Sequence, residues 1–219
     1  MTAFNFNSPT EMELGLQTSW EDAPASSFTV SGIDFETNDD GHPTEIGLAK
    51  INLGTGRLEA AFWTRLNGGS GCLQPFYPQI RDFLRDQVRL AHNKATEVRC
   101  LYRGLMIPPP ERLWIDSLNV FKGSLPLLRS YSLSDVTATL GVDVMPALLE
   151  VWPQAKGFGP HNALWDSAAT CLALHKLISK PEMSHLTLRQ LAAIRPRQGL
   201  RPGINPGEAS GDWQAPLAD

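Results

Sequence analysis

Cysteine is scarce in this chain of 219 residues, and neither sign of charge is in large excess. The three cysteines, Cys72, Cys100 and Cys171, form no C-x-x-C pair and are odd in number. That argues against a disulfide framework and makes a reducing compartment, the cytoplasm, the default expectation. No eighteen apolar residues follow one another, and the opening MTAFNFNSPTEMELGLQTSWED has no basic stretch leading into an apolar one. Neither a transmembrane helix nor a signal peptide is expected, and no membrane partner. The net charge of −4 argues against a protein that coats nucleic acid by bulk electrostatics. Internal repeats are lacking as well. What is present is 42% apolar and 19% charged residues, the balance of a globular chain, over a length that suits one domain better than two.

Residues 1–27 mix Ser, Thr, Asn and Glu with little periodicity and read as a loose arm. Residues 196–219 hold Pro196, Pro202, Pro206 and Pro216 among several glycines, a composition that sustains neither helix nor central strand and reads as a flexible tail. The domain lies between, over 28–195. FTVSGIDFE (28–36), TEIGLAKINL (44–53) and LEAAFWTRL (58–66) read as three antiparallel strands in a meander. YPQIRDFLRDQVRL switches to helical spacing, VRLAH reads as a short strand, and a further helix starts near Asn93. LWIDSL (113–118) is another strand. LSDVTATLG (133–141), NALWDSAATCLALHKLIS (162–179) and HLTLRQLAAI (185–194) read as helices, the first closed by Gly141. A meander followed by alternating strands and helices is an α/β domain with a mixed sheet.

Three stretches could carry chemistry. Asp34 and Glu36 end the first strand two residues apart, so their carboxylates share one face. Two acids on one face either hold a hard divalent cation or run out into the solvated acidic turn NDDG that follows. In GFGPHNALWD, His161 stands on a glycine-rich loop before a helix and Asp166 one turn inside it. Asn162 suits the N-cap, and Asp166 either complements the helix dipole or anchors a site in which His161 is a general base. LAHNKATEVRCL holds His92, Asn93 and Glu97, on a surface helix or a catalytic one. Elsewhere, Arg81, Arg85 and Arg89 fall on one helical face, with Asp82 and Asp86 three residues before the last two, and read as a solvated salt-bridged surface. Asp116 reads as a cap or strand-end acid and His175 as a satisfied core histidine.

IDFET, AHN and HNALWD occur in the order of the three motifs of the DEDDh exonucleases, and over roughly residues 29–180 the chain resembles that superfamily. Its members include ribonuclease T and the proofreading subunit of bacterial DNA polymerase III. The resemblance implies a ribonuclease-H-like mixed sheet flanked by helices. It also implies two Mg²⁺ or Mn²⁺ ions bound by Asp34, Glu36, Glu97 and Asp166, and His161 as general base. The middle motif departs from the usual H-N-x-x-F-D: Thr96 replaces the aromatic and Glu97 the aspartate. Phe35 and Thr37 match positions that contact the terminal nucleotide, although strand alternation turns Phe35 toward the core. Asn93 and Asn162 are further candidates for contact, Asn93 reading mainly as the cap of the helix that presents Glu97.

The implied activity is 3′–5′ exonucleolytic removal of nucleoside 5′-monophosphates from single-stranded or duplex 3′ ends of DNA or RNA. Setting aside the four implied ligands, acidic and basic residues are equal in number, as suits an enzyme that grips a strand end through metals. The alternative is an impaired member that binds nucleic-acid ends or a protein without cutting. A third reading recruits the domain to a protein partner through the Pro-rich tail.

Overall fold

Residues from Thr29 to Thr37 alternate between two apolar surroundings, and that alternation makes the central strand of the sheet. In the computed structural model, which describes residues 20–85, 88–106 and 113–196, this strand is β1 (Thr29–Thr37), followed by β2 (Pro43–Asn52) and β3 (Leu58–Arg65). The three form the expected meander, with Asp34 opposite Gly47 and Glu36 opposite Glu45. Two shorter strands, β4 (Val88–Ala91) and β5 (Leu113–Asp116), extend the other side of β1 in parallel, giving the order β3-β2-β1-β4-β5. This mixed sheet flanked by helices is the ribonuclease-H-like α/β fold.

Each face of the sheet carries its own core. Ile33, Phe35, Ile46 and Leu48 point to one side, where Ile80 and Phe83 of α1 (Tyr77–Leu84) and Cys100 and Leu101 of α2 (Lys94–Leu105) cover them. Val30, Ala49 and Ile51 point to the other side, under α4 (Leu133–Leu140), α5 (Val144–Val151), α6 (Ala163–Ile178) and α7 (Leu188–Ala193). Helix α6 lies directly on the central strands because two glycines leave room. A Cβ on Gly32 would stand 2.9 Å from the Ser167 carbonyl oxygen, and one on Gly47 would overlap the backbone of Ala163 and Leu164. Its start is thereby set beside the C-terminal half of β1. His175, farther along α6, donates from Nδ1 to the Leu53 carbonyl at 2.8 Å, the satisfied histidine expected.

The arginine stripe expected on the first helix does not form. Helix α1 ends at Leu84, and Arg89 lies in β4, fully buried, where its Nη2 donates to the Leu84 carbonyl at 2.6 Å and its guanidinium sits 5.6 Å from the Trp114 ring centre. Helical periodicity continues arithmetically past residue 85, but the chain leaves the helix to supply a parallel strand beside β1. Two helices were not anticipated. One is α3 (Ser117–Ser124), which Asp116 caps by accepting the Leu118 N–H at 3.1 Å. The other is α5, whose Pro146 falls in the first turn, where a missing N–H is harmless.

Of the arm expected over 1–27, the described part lies against the body. Ala25 donates to the Leu186 carbonyl at 2.9 Å, and Arg189 pairs with Glu21 at 2.7 Å and Asp22 at 3.0 Å. The tail from residue 197 on lies outside the described residues. Cys72, Cys100 and Cys171 are free and buried. Among the described residues no helix is long and apolar enough to cross a membrane.

Candidate active site

Strand parity builds the first half of the site. Asp34 and Glu36 project from the face of β1 that α6 covers, both half-buried, while Phe35 turns to the α1–α2 side and is only 6% exposed in that core. Thr37 ends the strand in solvent. Burial raises the Asp34 carboxyl well above its ordinary range, and the charges of Asp166, Glu97 and Glu36 add to the effect. Four acids from three elements are therefore electrostatically joined at one strand end.

The second half is the approach to α6. Asn162 is its N-cap, accepting the Trp165 N–H at 3.2 Å. His161, just before it, holds a left-handed backbone with φ 66°, uncommon for a residue with a Cβ, and its N–H donates to Asp166 Oδ2 at 3.1 Å. Burial pushes Asp166 up to about 6, the nearby Glu36 charge contributes, and the His161 N–H opposes both. Glu36, His161 and Asp166 each bring a ligating atom to within 4.8 Å of the others, with the histidine exposed. This is the one such group of three among the described residues, and it joins two of the three motifs picked out in the sequence.

The third acid stands differently. Glu97 lies in the first turn of α2, 3% exposed, with no hydrogen-bond partner for its Oε2 among the described residues. Burial pushes it up to about 8. It is outside the group of three but acts on Asp34. Asn93, expected to cap this helix with its side chain, occupies the N-cap position with φ 74° and makes no side-chain cap bond. Its backbone N–H donates to Asp116 Oδ1 at 3.2 Å, the same oxygen that caps α3, so one carboxylate fixes the starts of both helices. His92 is half-buried between the Tyr131 carbonyl, 2.9 Å from Nε2, and the Ser117 hydroxyl, 3.0 Å from Nδ1. That is a structural role.

Sequence reasoning missed Glu45 and Trp63. Glu45 Oε2 accepts from Trp63 Nε1 at 3.1 Å and from Asn162 Nδ2 at 3.2 Å. The available signal was parity: once IDFE and TEIG pair as a hairpin, position 45 falls opposite Glu36.

No protein-family model matches the chain, and no curated protein matches it by sequence. Solved structures do. The chain is similar to exonuclease X, solved in complex with 5′-overhanging duplex DNA, at 18% identity and a TM-score of 0.55, over 75% of this chain and 98% of that one. It is similar to the nuclease domain of 3′hExo, a DEDDh family member bound to rAMP, at 16% identity and 0.55, over 74% and 97%. A full-length 3′-exonuclease matches at 15% identity and 0.53, over 72% and 84%. The fold is thus that of the DEDDh 3′–5′ exonucleases. The donor set fits the hard divalent ions that the resemblance implies: clustered carboxylates of raised proton affinity, with an imidazole alongside.

Proposed function

We propose that the chain is a metal-dependent 3′–5′ exonuclease that releases nucleoside 5′-monophosphates from DNA or RNA. The observation that carries this reading is the convergence of Glu36, His161 and Asp166 beside Asp34, on a fold shared with 3′–5′ exonucleases. Two divalent ions held by Asp34, Glu36, Glu97 and Asp166 would supply Lewis acidity at the scissile phosphate and lower the pKa of the attacking water.

The chain's own residues do the rest. His161, exposed and grouped with Glu36 and Asp166, takes the proton from the attacking water. Asp166 accepts the His161 backbone N–H and so holds the backbone from which the imidazole projects. Asp34 and Glu36, fixed on one strand, are the rigid part of the ligand set. Thr37 and Asn93 are exposed and free to meet the terminal nucleotide, whereas the Asn162 amide is engaged with Glu45 and the Trp165 N–H. Phe35 supports the strand from the core. The domain is taken as residues 28–195, in the cytoplasm, and the tail as the place for a protein partner.

The test is release of mononucleotides from 5′-labelled single-stranded and duplex oligonucleotides, of DNA and of RNA, with Mg²⁺ or Mn²⁺. A ladder shortening from the 3′ end, abolished in Asp34→Ala, is expected; no release from any of them sinks the proposal. One observation favours a second reading: the burial of Glu97 with an oxygen that has no partner among the described residues fits a member that binds ends without cutting. Retained oligonucleotide binding without turnover would select it.

A further inference from the structure

A fifth carboxylate stands beside the four. Glu45 lies on β2 directly opposite Glu36, on the same face of the sheet, a register in which like charges destabilise each other unless something separates their roles. Its oxygens are directed elsewhere. Oε2 accepts from Trp63 Nε1 at 3.1 Å and from Asn162 Nδ2 at 3.2 Å, and Oε1 lies 3.8 Å from Arg65 Nε. The Glu45 side chain is 19% exposed, and it contributes no atom to the group formed by Glu36, His161 and Asp166.

Both donors to Oε2 also touch the loop that carries the histidine. The Trp63 ring packs on Phe158 with centroids 5.1 Å apart. Asn162, the residue after His161, uses its amide nitrogen on Glu45 and its amide oxygen on the Trp165 N–H. Between these two anchors run Gly159, Pro160 and His161, the last at φ 66°, and Gly157, at φ 93°, comes just before them. A histidine in the left-handed region stays there only while its surroundings hold it. Glu45 ties the Asn162 anchor to β2 and fixes the Trp63 ring of β3 on which the Phe158 anchor packs.

We propose that Glu45 is a positioning residue for His161: by binding Trp63 and Asn162 together, it seats residues 157–162 against β2 and β3 and keeps the imidazole over Glu36 and Asp166. For catalysis this rests on the exonuclease reading above; the seating of the loop does not. Glu45→Ala removes both bonds. Glu45→Gln keeps an acceptor oxygen for the same donors.

The test measures kcat and KM on a 3′-end substrate with Mn²⁺, alongside the rate at which trypsin cuts the folded protein after the exposed Lys156, read by mass spectrometry. Glu45→Ala is expected to lower kcat by roughly 10- to 100-fold, the cost of a misplaced catalytic group, with KM unchanged within about twofold of wild type. The cut after Lys156 should accelerate, and Glu45→Gln should restore most of both. In a His161→Ala background, Glu45→Ala should cost nothing further, since the two act as one unit. A loss that persists undiminished in that background overturns the proposal. So does a Gln variant as impaired as Ala, or a cut after Lys156 no faster than in wild type. If Glu45→Ala does not fold, Trp63→Phe, which keeps an aromatic ring against Phe158 and loses the N–H, is read the same way. If wild type releases no mononucleotide, the exonuclease reading falls while the rate after Lys156 still decides whether Glu45 seats the loop.

Discussion

Asp166 and Glu97 both stand in the first turn of a helix whose start abuts the end of β1, yet their surroundings are opposite. Both gain from the positive end of the helix dipole. Asp166 is half-buried, accepts the His161 N–H and is pushed up only to about 6. Glu97 is sealed in, has an oxygen without a partner among the described residues, and is pushed up to about 8. The difference begins with how each helix is seated. Two glycines let α6 lie on the sheet, and Asn162 ties its start to Glu45. Helix α2 starts from a left-handed Asn93 held through its backbone alone. If cations bind as proposed, the α6 end meets them with a carboxylate already held by the His161 N–H, whereas the α2 end must first give up a proton that burial retains.

The largest test of that contrast is to delete each acid. Asp166→Ala and Glu97→Ala should each lower mononucleotide release on the order of 100-fold or more, as loss of a group preorganised around developing charge does. Glu97→Asp should retain substantial activity, since it keeps the carboxylate and shortens the arm by one methylene. Activity in Glu97→Ala equal to wild type would remove Glu97 from the ligand set and leave the α6 end to act alone.

Stability against pH sharpens the comparison without any substrate. Asp166 and Glu97 have folded-state values, about 6 and about 8, above those of unfolded carboxyls near 4. The native state therefore binds more protons than the unfolded chain over that interval, and stability falls as pH rises from about 4 to about 8. In chelator, Tm should drop by at least about 5 °C across that range, what ~2 kcal/mol does to a domain of this size. Glu97→Gln should flatten the part between about 6 and 8, and Mn²⁺ should raise Tm more at pH 8 than at pH 5. A Tm in chelator that rises with pH would mean the acids are not held as described.

Much of this was legible beforehand, for reasons that differ by element. The meander agreed to within a residue or two because alternation has a period of two, and a slip would have turned Ile33 and Phe35 out of their core. The same parity set Asp34 and Glu36 on one face. Helix α6 was legible from its length and apolar content. Arg89 was misplaced because helical spacing runs on without a break signal, and nothing local tells that an arginine will be buried beside Trp114. Helix α3 was hidden behind a strand reading that ran two residues past the end of β5, although Asp116 was already a candidate cap. The bond between Glu45 and Asn162 spans 117 residues, so no local pattern could reveal it.

The smallest expected effect separates two neighbours at the start of α2. The Asn93 side chain makes no cap bond, so Asn93→Gly, which tolerates φ 74° and keeps the backbone N–H, should leave Tm within about 2 °C of wild type, the scale of a few tenths of a kcal/mol. Asp116→Ala removes the acceptor shared by the Asn93 and Leu118 N–H groups. It should cost about 1–2 kcal/mol in chemical denaturation, as a lost cap does. If α2 is held by Asp116 and not by the Asn93 side chain, only Asp116→Ala should also weaken the pH dependence attributed to Glu97, by loosening the helix that keeps that carboxyl from water. Equal losses from both substitutions would place the anchor in the Asn93 side chain, and the contrast between the two helix starts would vanish.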